Sequence, residues 1–268
     1  EVLVPNPGYP TYRSAVKLAG GNPVEYCLSE ANNYEPNFEI LNKQDLSKVK
    51  LMFVNYPQMP TGTNGNVELF KKIIAFGKQH NILIVHDNPY SFILNNEPLS
   101  LLSIEGAKDV AVELNSLSKS HNMAGWRMGM LCGAKERIDE IIRFKSNMDS
   151  GMFLPAQLAA AKALSLEEEW HNEVNKIYAA RRTKVFELLD LLNCTYSTNQ
   201  VGMFVWAKTP FLNGHGKSGY EVSDEVLYNS NVFITPGGIF GTQGDGFIRV
   251  SLCGSIERFE EAIKRIKN

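Results

Sequence analysis

Residues 115–129 read NSLSKSHNMAGWRMG and place Ser116, Ser118 and Lys119 just after an apolar run, with Arg127 further on. Small hydroxyls and a guanidinium are phosphate ligands, and a lysine amine does covalent chemistry once desolvated or set among charges. The plain alternative is a polar loop with a solvated lysine, and this segment alone does not choose. Residues 82–90, ILIVHDNPY, end an apolar strand on Asp87. A carboxylate there is costly without a cationic partner. The protonated ring nitrogen of a cofactor is one such partner; a turn or helix cap is the plain reading. His86 and Asp87 point to opposite faces of a strand, so they do not share a metal.

Two further segments add geometry. Residues 55–62, NYPQMPTG, make a rigid loop after a third apolar strand, which alone says only "turn". The glycines of TPGGIFGTQGDGFIRVSL, ending at Leu252, fit neither a phosphate-binding P-loop nor a dinucleotide fingerprint, since there is no GK[ST] and no GxGxxG between strand and helix. Within that segment Arg249 sits among Ile248, Val250 and Leu252. A strand arginine of this kind is either a structural ion pair or a bidentate carboxylate binder.

The elements that must position these residues follow from the apolar pattern. Near-continuous runs at 1–4, 23–28, 49–55, 82–86, 110–115 and 128–132 suit strands buried on both faces. Amphipathic stretches at 12–19, 67–80 and 135–147 lie between or after them. That alternation predicts an α/β fold with a mainly parallel sheet and ligands at the carboxyl ends of its strands. The last third differs. A long helical region at 155–192, broken near Ser165, precedes strands at 201–206, 232–235 and 247–252, a helix at 218–229 and a closing helix from Ser255. This predicts a large domain over residues 1–175 and a smaller α+β C-terminal domain over 176–268, joined by the long helix. Residues 213–219, NGHGKSG, read as a mobile loop.

Composition limits the alternatives. The chain has 268 residues, 44% hydrophobic and 21% charged, with net charge -2, which is a globular profile. The balanced charge argues against a general nucleic-acid or membrane-surface binder, and no apolar run approaches a membrane span. Cys27, Cys132, Cys194 and Cys253 are widely separated and read as buried free thiols in a reducing, cytoplasmic setting.

Taken together, the SxSK…GWR cluster, the D-x-x-Y of Asp87–Tyr90 and the R-x-S of Arg249–Ser251 resemble class I/II aminotransferases of the type I pyridoxal-phosphate (PLP) fold. The likeness runs in the family's order from Tyr9 to the C-terminus. SLSKSHNMAGWRMG is particularly similar to the subgroup holding LL-diaminopimelate, aspartate and alanine aminotransferases. The resemblance implies that Lys119 holds PLP as a Schiff base and, once freed, shuttles a proton between substrate and cofactor. It implies that Asp87 pairs with the pyridinium nitrogen, Tyr90 donates to the ring 3-oxygen, and Tyr9 stacks on the ring. Ser116, Ser118 and Arg127 would hold the phosphate, and Arg249 the substrate α-carboxylate. Transfer of an amino group from an amino acid to a 2-oxo acid is the implied reaction, with a homodimer as the implied assembly. Residues 148–153 would then lie near the partner's substrate side chain. A PLP lyase resembling cystathionine β-lyase, or a non-catalytic sensing domain of a regulator, are the alternatives.

Two departures stand out. Where the family carries Asn before P-T-G this chain has Met59. A thioether does not donate, which leaves Tyr90 alone at the 3-oxygen and implies a more basic Lys119 imine. The family's front segment, with a phosphate loop and a tyrosine for the neighbouring subunit, has no counterpart, so Glu1 reads as a truncation point.

Overall fold

The computed structural model describes residues 1–212 and 215–268. Its elements are β1 (Val2–Asn6), α1 (Pro10–Leu18), β2 (Pro23–Cys27), α2 (Phe38–Leu41), β3 (Leu51–Asn55), α3 (Val67–His80), β4 (Leu83–Asp87), β5 (Ala111–Ser116) and α4 (Leu117–Ser120). There follow β6 (Gly129–Gly133), α5 (Lys135–Met148), α6 (Leu154–Leu164), α7 (Glu168–Leu191), β7 (Thr195–Tyr196), β8 (Phe204–Lys208), β9 (Phe211–Leu212), β10 (His215–Gly216), α8 (Gly219–Ser230), β11 (Thr235–Pro236), β12 (Phe247–Ser251) and α9 (Ile256–Lys267).

The first sheet runs β2-β1-β3-β4-β5-β6. Its first five strands are parallel and β6 is antiparallel to β5. Helix formation is locally encoded. Pro10 opens α1 at a position where its missing N–H is harmless. The Asn66 side chain caps α3 by accepting from Leu69 N, and Asn81 closes it in the left-handed region. α3 then buries Leu69, Phe70, Ile73 and Ile74 against Met52, Val54 and Ile84 of the sheet.

The second sheet, β11-β12-β8-β7, is antiparallel. Its core is formed by Val205, Trp206 and Ile248 with Val185 and Leu189 of α7 and Ile263 of α9. Met59, Tyr90 and Ile93 belong to the same apolar cluster. The loops leaving β3 and β4 are therefore packed into the second sheet's core, and the carboxyl edge of the first sheet faces a wall made by the second.

Some expectations change. β6 is an exposed antiparallel edge strand and not a doubly buried one, and α5 buries none of its residues; an apolar run does not reveal whether a neighbour covers it. Cys27 at the end of β2, Cys132 on β6 and Cys253 after β12 are exposed, because edges and strand ends leave side chains uncovered. Cys194 alone among the four is buried, and burial pushes its thiol up to about 11. The region expected as strand at 232–235 pairs only over Thr235 and Pro236. The helical break near Ser165 is present, between α6 and α7. Of the loop expected at 213–219, residues 213 and 214 lie outside the described residues, and Ser218 forms a capping box with Glu221 that starts α8.

Candidate active site

β3, β4 and β5 end side by side, so Asn55, Asp87 and Ser116 share one edge. Asn55 and Asp87 are register partners. The Asn55 side chain donates to the Asp87 carbonyl at 2.7 Å and accepts from Met59 N at 2.7 Å. One amide thus fixes both the strand end bearing Asp87 and the loop bearing Met59. Ser116 ends β5 and caps α4, its hydroxyl accepting from Ser118 N at 3.2 Å. That single turn of helix carries Lys119. Arg127 holds a left-handed backbone, φ 54°, which carries a strain of about 1 kcal/mol in a residue with a Cβ, and its Nη1 donates to the Ala124 carbonyl at 2.7 Å.

Asp87 is the electrostatic focus. Burial pushes its carboxyl above the usual range, opposed by the Tyr12 hydrogen bond and by His86. Tyr12 Oη donates to Asp87 Oδ2 at 2.6 Å, and no lysine or arginine lies within ion-pair distance of Asp87 among the described residues. The cationic partner expected on the cavity side of this carboxylate is therefore neither a lysine nor an arginine of the described residues. Nor does Asp87 serve as a cap. Tyr90 is buried, and burial, then the Asp87 charge, push its phenol well above the usual tyrosine value while Arg249 opposes them. It stays a protonated donor at neutral pH.

Arg249 lies on β12 opposite Trp206 of β8. Its guanidinium is sandwiched between the rings of Phe204, 4.1 Å away, and Phe240, 4.6 Å away, a double cation–π contact. Nη1 reaches Met59 Sδ at 3.5 Å, a weak acceptor, and the buried Nε has no partner among the described residues. Burial pulls its pKa down, with Tyr90 and Cys253 opposing. No carboxylate approaches it among the described residues, so the structural ion pair is excluded. A buried cation with idle donors is a receptor for an anion.

These groups meet in one cavity of about 330 Å³, within the range for small-molecule sites. Tyr9, Asp87, Tyr90, Ser116, Ser118, Lys119, Arg127 and Arg249 all line it. Tyr12, Asn55 and Phe204 line it too and were not anticipated; nor was Phe240 behind Arg249. Tyr12 reads as one apolar position of α1, and only its place three residues past Tyr9, on the same helical turn, hints at more.

The family model for class I and II aminotransferases matches residues 1–266. The chain belongs to the class I and II aminotransferase family. It is 39% identical over 268 residues to the LL-diaminopimelate aminotransferase of Halothermothrix orenii, covering 99% of this chain and 68% of that relative. Among solved structures, the aminotransferase chain superposes on apo-BacF from Bacillus subtilis with a TM-score of 0.92 at 37% identity, over 99% of this chain and 67% of that one. An aromatic aminotransferase from Pyrococcus horikoshii gives 0.89 at 28% identity, over 99% and 71%. The relatives support an aminotransferase and lend nothing to the lyase or sensing alternatives. Among the described residues this aminotransferase has no cluster of three metal-binding side chains, and no helix is long and apolar enough to cross a membrane.

Proposed function

We propose that this aminotransferase uses PLP, held through Lys119, to move an amino group between an amino acid and a 2-oxo acid. The convergence of all eight side chains on one cavity carries the reading. Two features fit the cofactor and its substrate: the Asp87 carboxylate without a lysine or arginine partner, and the idle donors of Arg249. When bound, PLP supplies an electron sink for the pair left as the substrate Cα loses its proton.

The chain's own residues do the rest. Asp87 holds a hydrogen on the ring nitrogen, and Tyr12 keeps that carboxylate oriented. Tyr90 donates to the 3-oxygen, Tyr9 covers the ring face, and Ser116, Ser118 and Arg127 hold the phosphate. Arg249, oriented by two aromatic rings, binds the α-carboxylate. The Lys119 amine, as general base, would take the substrate Cα proton and then, as general acid, return it two atoms along, beyond the amino nitrogen. The relatives' name makes LL-diaminopimelate the first amino acid to try.

We further infer a large unit over residues 1–175 and a small one over 176–268, with α7 spanning them. α7 packs on α9, and its Asn175 brackets the Tyr90 loop by accepting from Leu94 N and donating to the Phe92 carbonyl. A homodimer is supported by the exposed apolar side chains of Met148, Met152 and Phe153. A cytoplasmic setting is supported by four free thiols. The test is a half-reaction: PLP-loaded chain plus amino acid should yield pyridoxamine phosphate and an equal amount of 2-oxo acid. Release of ammonia with PLP unchanged would point to a lyase instead.

A further inference from the structure

Behind the cavity, on the other face of the first sheet, lies a buried network that the proposed reaction does not use. His86 precedes Asp87 on β4, is 0% exposed, and packs edge-on against Phe70. Its Nε2 lies 3.0 Å from the Tyr56 carbonyl oxygen and its Nδ1 2.9 Å from Glu113 Oε2. A carbonyl oxygen only accepts, so Nε2 carries a hydrogen.

The other nitrogen is settled by what surrounds Glu113. Its Oε2 accepts from Ser100 Oγ at 2.9 Å and from Leu101 N at 2.8 Å, while Oε1 accepts from Asn88 Nδ2 at 3.2 Å. An oxygen with two hydrogens already aimed at it is a carboxylate acceptor and not a hydroxyl. Burial would raise the Glu113 pKa, but the hydrogen bonds from His86, Ser100 and Asn88 and the His86 charge hold it below the usual range. Nδ1 therefore donates as well, and both ring nitrogens carry hydrogen.

We propose that His86 is a fixed imidazolium, paired with Glu113, that holds Asp87 ionised from the far face of the sheet. It is a positioning residue, acting on Asp87 and touching neither cofactor nor substrate. The groups that face Asp87 are Tyr12 from α1, His86 beside it, Tyr90 after it, and Lys119 and Arg249 across the cavity. Of these, His86 is the cation that sits next to Asp87 in the chain, and a positive charge at that range favours a buried carboxylate. Glu113 lies one strand further away, opposite His86 and not opposite Asp87.

The charge state does not depend on PLP; only its purpose rests on the function proposed above. NMR on the histidine-labelled full chain, without PLP, should show both His86 ring nitrogens protonated at neutral pH with slowly exchanging hydrogens. One bare ring nitrogen would overturn the proposal. In His86→Gln, and in His86→Asn for the same comparison, the Asp87 carboxyl should titrate about one unit higher than in the parent. An unchanged Asp87 midpoint in a variant with a native-like spectrum would break the link between the two residues.

Discussion

On the proposed function, Arg249 and Met59 together define how the substrate is held at the level of single residues. With a thioether where a donor amide is expected, the guanidinium is oriented by ring faces instead of hydrogen bonds. Each such contact contributes about 0.5–2 kcal/mol. Phe240→Leu should therefore raise the KM for the amino acid about threefold to tenfold while PLP affinity stays unchanged. Steady-state kinetics beside a PLP titration separates the two, and an equal fall in PLP affinity would assign Phe240 to folding alone. Asp87 gives a prediction of opposite sign. Its folded pKa is raised by burial, so its contribution to stability is fully present below the unfolded value, about 3.9, and is lost as pH rises through the folded value. At neutral pH the ionised carboxylate weakens the PLP-free fold. Asp87→Asn, which can still accept from Tyr12, should be more stable than the parent to urea at pH 7, with the advantage shrinking in acid, and should bind PLP poorly.

Between elements, the informative contact is where the loop after β3 meets the segment leading into β8. Gly62 has φ +71° and its carbonyl accepts from Val201 N at 2.9 Å. A Cβ there would lie 2.8 Å from Gln200 Cβ and 3.1 Å from the Val201 carbonyl oxygen. Gln200 cannot step aside, since its amide is bound to both Trp206 N and the Trp206 carbonyl. Gly62→Ala should destabilise by about 2 kcal/mol through strain at φ > 0 and this clash, seen as a lower urea midpoint. It should also shift Met59, three positions earlier in the same loop. The motif P-T-G was visible in the sequence, but its partner was not. Its reason lies in residues 200 and 201, far along the chain. For the same reason Ser116, Ser118, Lys119 and Arg127 were readable, being close together, whereas Phe204, Phe240 and Tyr12 were not. β5 runs one residue past the 110–115 apolar run, because Ser116 is a polar residue still within the ladder.

On the scale of the whole molecule, two sheets with separate cores share one seam. Met59, Tyr90 and Ile93 of the first half pack into the core of the second, and the cavity lies along that contact. The strand–helix alternation made the parallel sheet legible, yet gave no sign of this sharing, because it depends on which loop meets which wall. It also hid the exposure of β6 and α5, whose apolar residues follow the same pattern as covered ones. What unites both halves is the claim that Lys119 on the first and Arg249 on the second serve one cofactor and one substrate. The most direct test is to incubate the chain with PLP, reduce with borohydride, and map the phosphopyridoxyl group by peptide mass spectrometry. A single modified peptide carrying the group on Lys119, absent in Lys119→Ala, is the predicted result. Modification centred on a different lysine, or PLP-dependent turnover persisting in Lys119→Ala, would contradict it.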